Sequence, residues 1–99
     1  MKYTVRLYEN AENDLKRIYE YIAFELCAVN AAKKQYDRVR KAIESLELFP
    51  NRNPVYKHTP WYESELHLLP IDYYIVLYIV DETKKEVVVL RIFYSGASS

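Results

Sequence analysis

Glycine is nearly missing from this sequence: Gly96 is the single one among 99 residues. Loops that cradle phosphate with backbone N–H groups need several glycines at fixed spacing, so the nucleotide-binding loops of that kind are excluded. Cysteine is as scarce. With Cys27 alone no disulfide forms within the chain, which fits a reducing compartment. Two histidines and one cysteine leave no ligand spacing for zinc. Cys27 lies at the break between two helical patterns and reads as a small buried hydrophobe. Net charge is absent too, because 14 Lys and Arg balance 14 Asp and Glu. A protein that coats nucleic acid non-specifically carries a basic excess, and this one does not. No apolar run approaches the roughly 20 residues that span a bilayer. The sequence opens directly on a strand pattern rather than a signal peptide, so a cytoplasmic protein away from membranes is expected.

What the chain has in abundance is tyrosine, 11 against 3 Phe and 1 Trp. Tyrosine buries its ring while its hydroxyl finds a polar partner, and it is favoured at interfaces. A tyrosine-rich core and rim is the simpler reading, a dedicated recognition surface the sharper one. The length suits one domain, residues 1–99, and a composition half apolar supports a core without staples.

Residues 2–8 alternate, with Tyr3, Val5 and Leu7 on one side, which predicts a half-buried strand. Asn10 reads as an N-cap, with Glu12 and Asp14 near the positive end of the dipole. Ala11, Leu15, Ile18, Ile22 and Leu26 recur at three- and four-residue spacing and predict an amphipathic helix of about four turns. After a break at 27–30, with Asn30 as a candidate cap, Val29, Ala32, Tyr36, Val39, Ile43 and Leu46 form a second stripe. Pro50 stops it. The short link predicts an antiparallel helical hairpin.

Residues 50–62 carry three prolines and no apolar period and read as a loop, one that holds Arg52, Lys57, His58, Trp61 and Tyr62. Three strand patterns follow. Leu66 and Leu68 alternate with His67 and Leu69. Tyr73 to Val80 is almost wholly apolar, as in a central strand covered on both faces. Asp81 to Lys85 is a polar turn, and Glu86 to Tyr94 is a β-branched last strand. Strand, helix, helix and three strands predict an α+β fold: a helical hairpin on a mainly antiparallel four-stranded sheet.

The chemistry on offer is a scatter of acid–base and phosphate-binding groups: Lys57 and His58 on the loop, His67 on a strand, and Arg91 and Tyr94 at the end of the last strand. Metal-free RNA cleavage needs a base, an acid and cations for the phosphate, and this set contains those types. On residue type alone the simpler reading is a solvated His58, an outward His67 and a surface Arg91. Lys34, Arg38 and Lys41 share a face of the second helix, either as a patch for an acidic partner or nucleic acid or as a solvated face paired locally with Asp37 and Glu44.

Taken in order, several segments resemble the RelE/ParE toxins over about 90 residues. Ala11, Asp14-Leu15, Ile18 and Tyr21-Ile22 look like that family's first helix. Ala31-Ala32 opens the second, and Leu46 with Phe49-Pro50 ends it. Leu66 to Ile71 with Tyr73, then Tyr78 and Val80-Asp81-Glu82, look like the middle strands, and Val88 to Tyr94 with Arg91-Ile92 like the last. The resemblance implies a toxin of a type II toxin–antitoxin system that needs no cofactor. It implies a cognate antitoxin as partner, in a homodimer or a toxin–antitoxin hetero-oligomer. It further implies growth inhibition by poisoning DNA gyrase or by cutting mRNA on the ribosome. In the nuclease mode the catalytic set would be Arg91, Tyr94, His67, His58 and Lys57. Tyr19, Tyr36, Tyr73 and Tyr94 are the candidate antitoxin anchors, since such partners pack apolar segments onto the sheet and hairpin. Two positions depart from the pattern. His67 stands where the family often has arginine, and Ser95-Gly96-Ala97-Ser98 stands where it often has Gly-Arg-Asp or Arg-Arg-Asp. Neither alanine nor serine replaces the donor fork of an arginine. The departure motivates a second reading: a catalytically impaired binding module that engages an antitoxin and acts in autoregulation.

Overall fold

The computed structural model describes residues 2–52, 55–57 and 66–96. Strand β1 (Thr4–Leu7) leads into helix α1 (Glu9–Glu20), a turn of π-helix (Tyr21–Glu25) and helix α2 (Val29–Glu44). Short 3₁₀ turns at Ser45–Glu47 and Pro50–Arg52 precede β2 (Val55–Lys57), β3 (Leu66–Ile71), β4 (Tyr74–Asp81) and β5 (Glu86–Tyr94). The sheet order is β1-β5-β4-β3-β2, with β1 parallel to β5 and every other pair antiparallel. The four expected strands and the hairpin are present. A fifth strand, β2, lies in the segment read as loop; three residues between prolines show no alternation to read.

Both helices lie on one face of the sheet. Ala11 and Leu15 of α1 and Val39 and Ile43 of α2 close over Val76, Tyr78, Val80, Val87, Val89 and Ile92. Leu46, in the 3₁₀ turn after α2, completes this core. The reverse face holds a smaller apolar cluster, Leu66, Val88 and Leu90 with Leu77 and Ile79 against it. That is why β4 reads as continuously apolar: alternate residues serve different faces.

The helix ends differ from the expectation. Tyr8, not Asn10, occupies the cap of α1, its carbonyl accepting the Glu12 N–H, and Asn10 is inside the helix. Ala28, not Asn30, precedes α2. Leu26 and Val29 leave their stripes and are exposed, because the π turn rotates the chain before the helices reverse. Cys27 is exposed rather than buried. It adopts φ +51°, the left-handed position that closes a helix C-terminus, while the Ala28 N–H reaches back to the Ile22 carbonyl. A non-glycine residue there costs about 1 kcal/mol. Cys27→Gly is therefore expected to raise stability by a few tenths of a kcal/mol up to about 1, the gain being trimmed by the greater unfolded-state freedom of glycine. Thermal unfolding of the two forms checks it.

Two further left-handed residues sit in hairpin turns, Asp72 between β3 and β4 and Lys85 between β4 and β5. Asp72 is held by a side-on fork from Arg38, Nε and Nη2 both at 2.7 Å, and by Gln35 Nε2 at 3.0 Å. Arg38 thus fastens α2 to the sheet, which removes it from the basic patch read from the sequence. Lys34 and Lys41 remain exposed.

Candidate functional site

Bulges let a strand re-aim a side chain. Such an irregularity lies in β5, where Leu77 pairs with Arg91 and Tyr78 with Val89, so Leu90 has no opposite number. Just beyond it, Arg91 turns to α1. Its Nε and Nη2 donate to the two oxygens of Asp14 at 2.7 and 3.0 Å, and the Ile92 N–H donates to the same carboxylate at 2.9 Å. Asp14 is only 6% exposed, whereas the Arg91 side chain keeps half its surface in solvent. Arg17, one turn along α1, reaches Asp14 Oδ1 at 3.7 Å, too long for a hydrogen bond, and its side chain is 72% exposed. Burial pushes the Asp14 carboxyl up. The Arg91 fork, the Ile92 N–H and the charges of both arginines outweigh it and hold the group below the usual carboxylate range. The same pairing raises Arg91.

Beside this cluster a groove of about 480 Å³ opens between the C-terminal end of α1 and the end of the sheet. Arg17, Ile18, Tyr21, Ile22, Leu26, Tyr74 and Tyr94 line it. Tyr94 is 66% exposed and meets Tyr74 edge-on at 5.7 Å between ring centroids. Burial, with Tyr94 and Tyr21 alongside, raises the Tyr74 hydroxyl, so it is a neutral hydrogen-bonding group at physiological pH. Tyr73, at the adjoining turn, is exposed, and its carbonyl accepts the Ser95 N–H and hydroxyl, which pins the end of β5 to that turn. A second, shallower groove of about 370 Å³ runs between the helices, with Glu12, Lys16, Tyr19, Tyr36 and Arg40 around it. There Tyr19 and Tyr36 pack edge to face at 6.1 Å.

The residues singled out from the sequence are thus divided among separate places. Tyr94 and, beside it, Tyr73 belong to the first groove, and Tyr19 and Tyr36 to the second. His67 does not point outward: it is 5% exposed, on the helix side of β3, stacked on Tyr78 at 5.2 Å. Lys57 lies on β2, and His58 and Ala97 lie outside the described residues. His67 pairs with Tyr78 and Tyr94 with Tyr74, so four strand residues, about 13 Å, separate their levels in the sheet. Two strand spacings, about 10 Å, lie between β3 and β5 as well.

Asp14 and Arg17 are the members of the site that sequence reasoning missed. A signal for Asp14 existed. It falls three residues after Ala11 and four before Ile18, on the apolar stripe itself, where an acid needs a buried cation or donor. Among the described residues no cluster of His, Cys, Asp and Glu suits a metal, and no helix is long and apolar enough to cross a membrane.

A helical hairpin over a mixed sheet is an architecture shared with chains from bacterial and archaeal toxin–antitoxin systems. The chromosomal ParDE system of P. aeruginosa superposes with a TM-score of 0.75 at 19% identity, covering 94% of this chain and 96% of that one. The RelE–RelB complex of Pyrococcus horikoshii gives 0.70 at 18%, covering 99% and 100%. The RelBE2 complex of Mycobacterium tuberculosis gives 0.63 at 22%, covering 98% and 95%. A comparison with the curated proteins finds no match. The model of the ParE toxins of type II toxin–antitoxin systems matches residues 5–97, and the chain belongs to that family. It is a toxin component of such a system.

Proposed function

We propose that this toxin arrests growth in the cytoplasm by binding DNA gyrase, without catalysis of its own, and that a cognate antitoxin silences it by laying an amphipathic segment into the groove at Tyr21, Tyr74 and Tyr94. The observation that carries the non-catalytic reading is the separation, among the described residues, of the nuclease candidates His67, Arg91 and Tyr94. His67 is packed on Tyr78 at one level of the sheet, Tyr94 stands at another, and Arg91 spends its fork on Asp14. A base and a phosphate-binding cation acting on one RNA linkage must lie within hydrogen-bond reach of it. Membership in the ParE family favours the same side. The groove suits a docking segment because its wall is mostly apolar and aromatic with few polar groups, the composition of anchor pockets at interfaces.

The test is direct. Purified chain added to gyrase and relaxed plasmid is expected to block supercoiling, while mRNA in a translating extract stays intact. Cleaved mRNA with unimpaired supercoiling would replace this reading with the nuclease one. Normal supercoiling, intact mRNA and normal growth on induction would favour the impaired binding module.

A further inference from the structure

One buried carboxylate, Asp14, faces two guanidinium groups, and they do not share it equally. Arg91 takes both oxygens, the Ile92 N–H adds a third hydrogen bond, and Arg17 is left at 3.7 Å. The charge of Asp14 is therefore already met by Arg91. Two positive charges against one negative leave one in excess, and it sits on Arg17, in the wall of an otherwise uncharged groove. Among the described residues the Arg17 guanidinium makes no hydrogen bond, so its five donors are open to a ligand.

We propose that Arg17 is the charged anchor of this groove and that the segment it accepts carries a carboxylate among apolar residues: an acidic amphipathic stretch of the antitoxin, with its aliphatic side chains against Ile18, Ile22 and Leu26 and its acid on Arg17. This rests on the reading of the groove as the antitoxin's seat. Asp14 acts as a positioning residue, since its contact restrains Arg17 toward the groove without consuming its donors. A carboxylate matches the planar fork, and a segment seated against Tyr21, Tyr74 and Tyr94 would shut water out of the contact, which strengthens it. A nucleic-acid backbone would bring a charge at every residue to a groove with one lining cation, and it fits less well.

The probe is the product of the neighbouring reading frame, titrated calorimetrically into the full chain at low and at 0.5 M salt. Arg17→Ala is expected to weaken binding tenfold or more at low salt and to flatten its salt dependence. Arg17→Lys should recover part of the loss, and Lys84→Ala, at the β4–β5 turn on the opposite end of the sheet, should bind as the unaltered chain does. Because Arg17 is exposed, these variants should fold, and circular dichroism confirms it. Unchanged affinity of Arg17→Ala overturns the proposal. So does normal affinity combined with lost growth arrest, which would turn Arg17 toward the cellular target. Failure of the unaltered chain to bind would instead bring down the antitoxin reading of the groove, and this inference with it.

Discussion

Asp14→Ala is expected to cost about 3 kcal/mol of folding stability, among the largest effects of any single change outside the apolar core. The carboxylate is buried and accepts three hydrogen bonds, one of them from the Ile92 backbone. Its removal leaves that N–H without a partner and frees Arg91 from α1, so the helix and the last strand lose their polar tie. With a urea slope of about 1.5 kcal/mol/M, the denaturation midpoint should fall by about 2 M. A shift under about 0.5 M would mean that water replaces the carboxylate at little cost. The pH dependence follows from the same contacts. The folded-state value of Asp14 lies below its unfolded value of about 3.9, so the stabilisation is complete well above that value and is lost as pH falls through the folded one. Asp72, lowered by the Arg38 and Gln35 hydrogen bonds, adds to the loss in the same direction. Stability of the unaltered chain should therefore drop on acidification below about pH 4, and Asp14→Asn should show a shallower drop.

Tyr78→Ala is expected to cost about 3–5 kcal/mol. Tyr78 is fully buried on β4, its ring is stacked by His67, and its hydroxyl donates to the Pro50 carbonyl. It joins the sheet to the second 3₁₀ turn, Pro50–Arg52, so truncation opens a cavity and also orphans a carbonyl. Tyr78→Phe separates the two contributions. It keeps the ring and removes one hydrogen bond, for about 1–2 kcal/mol. Equal losses in the two variants would place the whole effect in the hydroxyl and overturn the packing account.

The helical hairpin and the succession of elements along the chain could be read because Ala11, Leu15, Val39 and Ile43 keep helical spacing and polar turns separate the last strands; the order of the strands within the sheet could not. His67 could not be placed. Leu66 and Leu68 serve the reverse face while His67 and Leu69 face the helices, and both faces of β3 are apolar, so alternation does not say which is outward. The tyrosines are ambiguous for a related reason. Tyr78 is core, Tyr94 is surface, and the residue type is suited to both. The Asp14–Arg91 pair spans 77 positions and depends on the irregularity at Leu90, a long-range event that no local pattern encodes. Arg17 stands in the last turn of α1, where any cation is favoured by the dipole, and only the fold shows which groove it enters.

The parallel pairing of Thr4–Leu7 with Glu86–Val89 has a consequence for how the molecule is made. Among the described residues β1 has no strand neighbour other than β5, and the buried carboxylate of α1 finds its cation there too. A chain emerging from the ribosome holds its first strand and first helix for the length of almost the entire translation before their counterpart exists. Local helical turns can form and dissolve in that interval, but the sheet cannot close. Folding should then come late, limited by closure of a loop of some 80 residues rather than by helix formation. For a growth inhibitor, that order of events gives the cell an interval in which the poison exists only as unassembled polypeptide.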